Sequence, residues 1–391
     1  MITNFDESPQ INVVLNAPPV LSRSLGGYNP GRLLVGCPAA PIIMVRAASK
    51  VIGLELDERY SRQMLFPGIG AEGQRKLAGA RIAVVGCGAT GSTLASLLAR
   101  AGVGTIRIID RDYVETSNLQ RQSLFAEADA AECLPKAIAA ARRITAFNSH
   151  ISIEPQVADV TPANIDSLLN GVQLILDGTD NFETRYLLND FAIKNSQPWI
   201  YTAVVGSYAV TLNIIPGRTA CLACIFPDPP QGNLETCETA GILNSAVNLV
   251  ASLAATEALK FLVGAEKQLR HTLLSFDVWQ NTRAELAADK PRPGCQTCER
   301  REFPHLAGEG RPHITLCGRN SVQIHERHRP VDLAQMSERL RPHGAVRHND
   351  FVLKFWPKPY EMTLFPDGRA IIKGTTDTAV ARSLYARYVG N

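Results

Sequence analysis

From about residue 57, the chain alternates between short apolar runs and longer stretches in which apolar residues recur every three to four positions. The runs RIAVV (Arg81–Val85) and TIRIID (Thr105–Asp110) predict strands, and residues 91–101 between them have helical periodicity. The alternation continues with predicted helices at Lys136–Phe147, 162–169 and 181–194, and predicted strands near 151–155 and 172–177. This order predicts a mainly parallel sheet with helices on both faces.

The pattern changes after residue 199, where two adjacent apolar runs, WIYTAVV and YAVTLNII, predict an antiparallel extension of the sheet. A long apolar helix is predicted at about 246–263. Near the end of the chain, PDG at 366–368 predicts a hairpin between YEMTLF and RAIIKG, and Asp377 is suited to cap a last helix at about 378–388. The region after about residue 306 therefore resembles a small module containing both strands and helices.

These patterns predict three regions. Residues 1–55 are rich in Pro, Gly and Asn without a sustained period, and we expect a poorly ordered leader. Residues 56–305 form the predicted main α/β domain, and residues 306–391 form a small C-terminal α+β module.

Composition narrows the range of partners. The chain has 40 basic and 37 acidic residues among 391, for a net charge of +3, and no basic block, so nucleic acid is not an expected partner. The apolar stretch at 33–48 is interrupted by Pro38 and Pro41, and no run predicts a membrane span or a secretion signal. We therefore expect a soluble cytoplasmic protein that does not bind membranes.

A glycine-rich turn lies between the first predicted strand and its helix. The sequence GCGATG places Gly86, Gly88 and Gly91 in the pattern G-x-G-x-x-G, and Asp110 ends the next strand. Glycines let the backbone approach phosphates, the helix N-terminus favours negative charge, and a carboxylate can accept the ribose hydroxyls. This predicts a nucleotide site in a Rossmann-like sheet, with a nicotinamide cofactor as one candidate.

The residues after Asp110 bear on which nucleotide is expected at this site. The segment DRDYVETSNLQRQ groups Asn118, Arg121 and two glutamines, and Lys136 follows downstream. An arginine and a lysine together can neutralise a triphosphate and stabilise charge developing at its α-phosphate, which hydride transfer does not require. This favours a triphosphate over NAD, although SNLQRQ in isolation would be interpreted first as a solvated polar loop.

Two Cys-x-x-Cys pairs offer the complete ligand set of a tetrahedral structural zinc site. They are Cys221 with Cys224 and Cys295 with Cys298. Closing the intervening loop costs on the order of 4 kcal/mol, whereas structural zinc binding contributes roughly 10 to 16 kcal/mol at neutral pH. Because four sulfurs leave no position for water, we expect this zinc to stabilise the fold and to take no part in chemistry.

Taken in order, these motifs resemble the ThiF/MoeB/HesA family, bacterial relatives of the ubiquitin-activating enzymes. The resemblance covers about residues 56–299 and includes RYSRQ, GCGATGS, AGVG, the D-x-D followed by SNLQRQ, PK, GTDN and both cysteine pairs. Two positions depart from the family pattern, because Ala89 and Cys133 stand where glycine is usual. Both are small, so they bear on the geometry of the loops more than on the activity.

The resemblance implies ATP- and Mg²⁺-dependent adenylation of the C-terminal glycine carboxylate of a ubiquitin-fold sulfur carrier that ends in Gly-Gly. It implies that the Gly86–Gly91 loop, including Ala89, lies beside the nucleotide and that Asp110 binds ribose. It also implies a homodimer, in which Arg62 reaches the γ-phosphate of the neighbouring subunit. The remaining implied site residues are Asp112, Asn118, Arg121 and Lys136 for the phosphates, Asp180 for magnesium and the adenylation centre, the adjoining Asn181, and Cys237 as a candidate for covalent attachment of the carrier.

Other functions remain possible at this point. An NAD-dependent oxidoreductase, a non-catalytic zinc-stabilised binding module, and an enzyme that adenylates a peptide or small carboxylate are each compatible with part of the pattern. The carrier-activating interpretation needs no general base, since a C-terminal carboxylate is already ionised at pH 7.

Overall fold

The computed structural model of the protein describes residues 58–227, 240–308, 315–316, 320–324 and 330–390. The expected leader and Cys237 lie outside these residues, so the structure does not bear on either expectation.

The first sheet forms the main layer of the protein. Two short helices precede it, α1 (Ser61–Met64) and α2 (Gly70–Gly79). Its strands in the described part of the chain are β1 (Arg81–Val85), β2 (Thr105–Asp110), β3 (Ser152–Val157), β4 (Leu174–Asp177), β5 (Trp199–Val205), β6 (Tyr208–Ile214), β7 (Thr272–Asp277) and β8 (Thr282–Ala287). They lie in the order β3-β2-β1-β4-β5-β6-β7-β8, parallel from β3 to β5 and antiparallel from β5 to β8.

Helices connect these strands and cover the sheet. They are α3 (Ala89–Arg100), α4 (Glu127–Ala131), α5 (Lys136–Phe147), α6 (Ile165–Leu169), α7 (Phe182–Lys194), α8 (Leu222–Ile225) and α9 (Asn244–Val263). Two buried apolar clusters form, one containing residues of α3, α5 and α9 and the other containing residues of α6 and α7. The predicted mainly parallel sheet with an antiparallel extension is confirmed. Strand order reverses between β1 and β4, and such a reversal is where open α/β sheets bind ligands.

Helix α9 is the longest helix in the described residues and packs against α3. Ala251, Ala254 and Ala258 are fully buried, and their small side chains permit this close approach. Among the residues that the structure describes, α9 is also the one helix long and apolar enough to cross a membrane by length and composition. Half of that window is buried inside the protein, and packing in the core accounts for the apolar residues of that half.

A second, antiparallel sheet follows in the C-terminal part of the chain. Its strands are β9 (Thr315–Leu316), β10 (Ser321–Ile324), β11 (Ala345–His348), β12 (Leu353–Trp356), β13 (Glu361–Leu364) and β14 (Ala370–Lys373), in the order β11-β12-β13-β14-β10-β9. One face packs on helices α10 (Leu333–Leu340) and α11 (Thr378–Tyr388) through a core of its own. The predicted hairpin at 366–368 is present, and Asp377 caps α11 by accepting from the Ala379 and Val380 amides, as predicted.

Some elements differ from the sequence prediction. The helix expected at 162–169 begins only at Ile165, and the strands β7 and β8 were not predicted. Strand β8 is exposed along its whole length, and half of its residues, TRAELA, are polar, so it lacks the buried face that would mark it in the sequence. The domain limits at residues 55 and 305 stay a prediction.

Candidate nucleotide site

Three glycines pack the turn after β1 against the end of β4. Gly86 has φ +83°, in the left-handed region, and a Cβ on Gly91 would lie 1.8 Å from the Gly86 carbonyl oxygen. A Cβ on Gly178, directly after β4, would lie 2.4 Å from that same oxygen. The two turns therefore touch backbone to backbone, which requires glycine at these positions.

Gly88 differs from these glycines because a Cβ could be added there without a clash. The nearest atoms to a Cβ at Gly88 would be Gln122 Nε2 and the Gly178 carbonyl oxygen, both 3.9 Å away. Its absent side chain is therefore not required by packing within the protein. An open backbone at the start of a helix fits a ligand phosphate that approaches closely.

Asp110, at the end of β2, is held by two backbone amides of neighbouring turns. Its Oδ2 accepts from the Cys87 amide at 2.6 Å and its Oδ1 from the Asp112 amide at 2.7 Å. Burial raises the pKa of the Asp110 carboxyl, although Lys136 acts in the opposite direction. The carboxyl is thus fixed beside the glycine turn, where it can also accept ribose hydroxyls.

Asp112 and Lys136 form a buried ion pair at the start of α5. Lys136 Nζ lies 3.1 Å from Asp112 Oδ2, and the Lys136 amide donates to the Asp112 carbonyl oxygen at 2.8 Å. Lys136 is only 3% exposed. Its ammonium group is therefore fixed in place beside the loop that follows β2.

The segment SNLQRQ forms a tight turn beside this pair. The side chains and amides of Glu115 and Asn118 cap each other reciprocally, and the Asn118 carbonyl oxygen accepts from the amides of Arg121 and Gln122. Arg121 Nη1 donates to the Ser117 carbonyl oxygen at 2.9 Å, which leaves other guanidinium nitrogens for a ligand. Asn118 and Arg121 thus start from one rigid turn.

Gln122 is a residue to which the sequence assigned no role. It is buried, and its Oε1 has no hydrogen-bond partner among the described residues. A buried amide oxygen without a partner costs free energy, which a bound group near Gly88 would recover. Its position in the SNLQRQ cluster was the available signal.

Beneath the turn that carries Asp180 lies a buried ion pair that the sequence analysis missed. Asp177 is fully buried and accepts from Arg185 Nε at 3.1 Å, and Arg185 also donates to the carbonyl oxygens of Thr179 and Thr202. Asp180 itself is exposed. The pair therefore fixes the backbone on which Asp180 stands.

Asn181 acts in the same turn as the N-cap of α7. Its side-chain oxygen accepts from the Thr184 amide at 2.8 Å. Its side chain therefore has a structural contact in addition to the nucleotide role implied by the family resemblance.

Arg62 is exposed on α1, and the structure does not bring it to the glycine turn of its own chain. Gln63 anchors α1 by donating to the Ala101 carbonyl oxygen at 2.8 Å, just after the C-terminal end of α3. The glycine turn lies at the other end of this helix, about 18 Å away for 12 residues. Leu65 and Phe66, which directly follow α1, are 70% and 62% exposed.

The four predicted metal ligands come together in one cluster. Cys221 Sγ lies 3.7 Å from Cys224 Sγ and 3.8 Å from Cys295 Sγ, and Cys224 Sγ lies 3.7 Å from Cys298 Sγ. Sulfurs bound tetrahedrally to zinc at about 2.3 Å are ~3.8 Å apart, so the spacing fits a zinc ion. The Arg292 amide also donates to Cys224 Sγ at 3.3 Å, which supports a thiolate there.

The ThiF family model matches residues 60–297, which is more than half of the chain and includes the glycine turn, Cys221, Cys224 and Cys295, while Cys298 follows directly after its end. The chain therefore belongs to the ThiF family. The nucleotide-binding α/β sheet and the four-cysteine cluster described above both lie within or at the end of the matched region.

Two relatives show how far the similarity extends. The sulfur carrier protein ThiS adenylyltransferase of Bacillus subtilis is 45% identical over 336 residues, covering 85% of this chain and 99% of that protein. The sulfur carrier protein adenylyltransferase of Thermus thermophilus is 38% identical over 252 residues, covering 62% of this chain and 91% of that protein. Among solved structures, Escherichia coli MccB with ATP has a TM-score of 0.55 at 24% identity, covering 62% of this chain and 75% of that one, which supports the fold.

Proposed function

We propose that this protein is an ATP-dependent adenylyltransferase that activates the C-terminal carboxylate of a ubiquitin-fold sulfur carrier protein and releases pyrophosphate. The observation that carries the proposal is the 45% identity to an adenylyltransferase of a sulfur carrier over nearly the full length of that relative. The geometry agrees with it, because an open glycine backbone, a buried carboxyl and a fixed lysine surround one edge of the sheet.

ATP, when bound, would supply the electrophilic phosphorus for this reaction. The turn at Gly88 would lie against its phosphates, and Asp110 would accept the ribose hydroxyls. Lys136 and Arg121 would reduce the repulsion between an anionic carboxylate and an anionic triphosphate and would stabilise charge on the departing pyrophosphate. Their cationic groups are already fixed by Asp112 and by the turn at Asn118, so little reorganisation is needed.

Magnesium and the second subunit complete the proposed site. Asp180, exposed on its turn above the Asp177–Arg185 pair, would hold Mg²⁺, with Asn181 beside it. Arg62 would act in the neighbouring subunit of a homodimer, since α1 is anchored far from its own glycine turn. Cys237 remains a candidate for covalent attachment of the carrier.

Zinc would occupy the cluster of Cys221, Cys224, Cys295 and Cys298 in a structural role. The ion would join the turn at α8 to the segment after β8. A cytoplasmic location is part of the same proposal, since soluble carrier proteins and ATP are found there.

The proposal is tested by exchange of labelled pyrophosphate into ATP. We expect exchange only when a small carrier ending in Gly-Gly is present, and formation of a carrier-AMP adduct detectable by mass measurement. Asp180→Ala should abolish exchange while zinc content and the thermal unfolding temperature stay unchanged. Absence of exchange across a panel of such carriers would contradict the proposal.

The oxidoreductase alternative receives no support from the family match or from the relatives. Calorimetric titrations separate the two functions directly. Binding of NAD together with no binding of ATP would decide for the oxidoreductase.

A further inference from the structure

The C-terminal sheet contacts the segment of the main domain that carries the proposed phosphate-binding residues. Tyr113 packs in a small buried cluster with Val352, Phe365 and Ile371 of the C-terminal region. On its other side the same segment pairs with the residues before α5, because Tyr113 bridges Pro135 and the Val114 amide donates to the Leu134 carbonyl oxygen. The segment is therefore held between α5 and the C-terminal sheet.

Lys373, at the end of β14, makes one of the polar contacts across this interface. Its Nζ forms an ion pair with Glu115 Oε1 and lies 5.5 Å from the ring centroid of Tyr113. Tyr113 donates its hydroxyl to the same Glu115 oxygen at 3.2 Å. Burial opposes the charged form, but Tyr113 and Glu115 together hold the pKa of the Lys373 ammonium above its usual value. The pair is about three quarters buried, with side chains 25% and 23% exposed.

Glu115 transmits this contact to the phosphate-binding turn. Its side chain accepts from the Asn118 amide, and its own amide donates to Asn118 Oδ1 at 3.2 Å. The Asn118 carbonyl oxygen in turn accepts from the amides of Arg121 and Gln122. The position of Lys373 is thus linked to that of Arg121 through one carboxylate and one capped turn.

Arg369 binds the N-terminal end of the same segment, at Arg111. It is fully buried on the same sheet, and its Nη2 donates to the Arg111 carbonyl oxygen at 3.2 Å. The next residue is Asp112, the partner of Lys136. Both ends of the stretch from Arg111 to Glu115 are therefore bound by the C-terminal sheet.

Comparison of lengths indicates that this region is an addition to the shared part of the family. The match to the Thermus thermophilus protein covers 91% of that protein but only 62% of this chain, which leaves little room there for a counterpart. The match to the Bacillus subtilis protein leaves a share of this chain unmatched that is shorter than residues 306–391, so it extends into them. Sequence similarity to the C-terminal region is therefore found in the Bacillus subtilis protein but has little room in the Thermus thermophilus protein.

From these contacts we infer that Lys373 is a positioning residue for ATP binding, acting through Glu115 on the turn that bears Asn118 and Arg121. The inference rests on the proposed function, and it makes the C-terminal module part of the nucleotide site. Its effect is on the binding of the triphosphate, while the carrier site is not involved.

The test compares Lys373→Met with Arg339→Met in the full-length protein. Arg339 is exposed on α10 and donates to the carbonyl oxygens of Tyr388 and Val389, so its loss perturbs the same module without touching the phosphate-binding turn. Affinity for a non-hydrolysable ATP analogue is measured by calorimetry without carrier. We expect Lys373→Met to weaken it by about fivefold or more, the lower range of coupling between sites, and Arg339→Met to change it less than twofold.

Three further variants separate positioning from general stability. Lys373→Arg should restore most of the affinity, because it keeps the charge. Glu115→Gln should reproduce the loss from the other side of the pair, and the double variant should lose no more than the larger single change. In the exchange assay, KM for ATP should rise while KM for the carrier stays constant.

The inference is overturned if Lys373→Met binds the analogue like wild type, if Arg339→Met weakens binding equally, or if the two losses multiply in the double variant. Should Lys373→Met not fold, Glu115→Gln and Lys373→Arg provide the same comparison. A wild-type protein that binds the analogue but exchanges no pyrophosphate with any carrier contradicts the proposed function and leaves the positioning result interpretable.

Discussion

Gly88→Ala is expected to weaken ATP binding while leaving the fold intact. A Cβ at this position meets no described atom closer than 3.9 Å, so the substitution should change the free energy of unfolding by no more than about 1 kcal/mol. A methyl group pointing into the space above the turn would displace a phosphate from the amides at the start of α3. Loss of one hydrogen bond to a charged group costs about 1.5 to 3 kcal/mol, or roughly a 10- to 150-fold weaker affinity.

Gly91→Ala is the matched substitution in the same turn, and it is expected to reduce the stability of the fold first and nucleotide binding only as a result. Its Cβ would lie 1.8 Å from the Gly86 carbonyl oxygen, far inside ordinary van der Waals contact, and neither the Cβ nor this backbone oxygen can be moved by rotating a side chain. The start of α3 or the turn itself would have to move. We expect a destabilisation of at least about 3 kcal/mol, together with loss of nucleotide binding as a secondary effect.

Two measurements on each variant distinguish these outcomes. Denaturant unfolding reports the fold, and calorimetric titration with a non-hydrolysable ATP analogue reports the site. The reasoning fails if Gly88→Ala binds the analogue with wild-type affinity, because no phosphate would then approach that backbone. It also fails if Gly88→Ala unfolds as readily as Gly91→Ala.

Two other predictions concern stability. Arg185→Met should lower the free energy of unfolding by about 3 to 5 kcal/mol, because it leaves the buried Asp177 without its charged partner. The control Arg218→Met removes an exposed pair with Glu266 and should lower the free energy of unfolding by less than about 1 kcal/mol. Equal denaturant midpoints for the two variants would refute this prediction. Removal of metal with a strong chelator should lower the thermal unfolding temperature and release one zinc per chain by elemental analysis, and Cys298→Ser should have a similar effect without chelator. An unchanged unfolding temperature after complete loss of the metal would contradict the structural role.

Much of the first sheet was predictable because its strands are apolar runs bounded by turns. The predicted limits of β1, β2 and α5 agree with the structure. β8 was not predicted, because it is exposed throughout and depends on pairing with β7. Its formation is decided by tertiary context that no local pattern contains.

The sequence indicated the candidate site residues themselves, but it did not indicate the buried contacts that hold their backbone in place. The glycine turn, Asp110 and the cysteine pairs carry spacing signals that follow from their chemistry. The Asp177–Arg185 pair gave no such signal, since an acid at the end of an apolar run resembles a surface residue until its partner eight positions later is seen to be buried with it.

Contacts between residues far apart in the chain were the hardest feature to predict from the sequence. Lys373 and Glu115 are separated by 258 positions, and nothing local to either residue indicates the other. Cys133 is a related case, because it adopts φ +52°, in the left-handed region where the glycine expected from the family resemblance would be unstrained. A sequence shows which residue departs from a pattern, and the backbone shows the cost of the departure.

The spacing of the cysteine cluster has a consequence for biosynthesis. Cys221 and Cys224 are synthesised more than seventy residues before Cys295 and Cys298. Helix α9 and strands β7 and β8 are made in the interval between the two pairs. A nascent chain therefore carries half a ligand set during this interval, and the parallel strands can associate before any ion is captured. If the cluster binds zinc as proposed, the complete set of four sulfurs exists only after Cys298 has been made, so metal loading would be a late event of maturation.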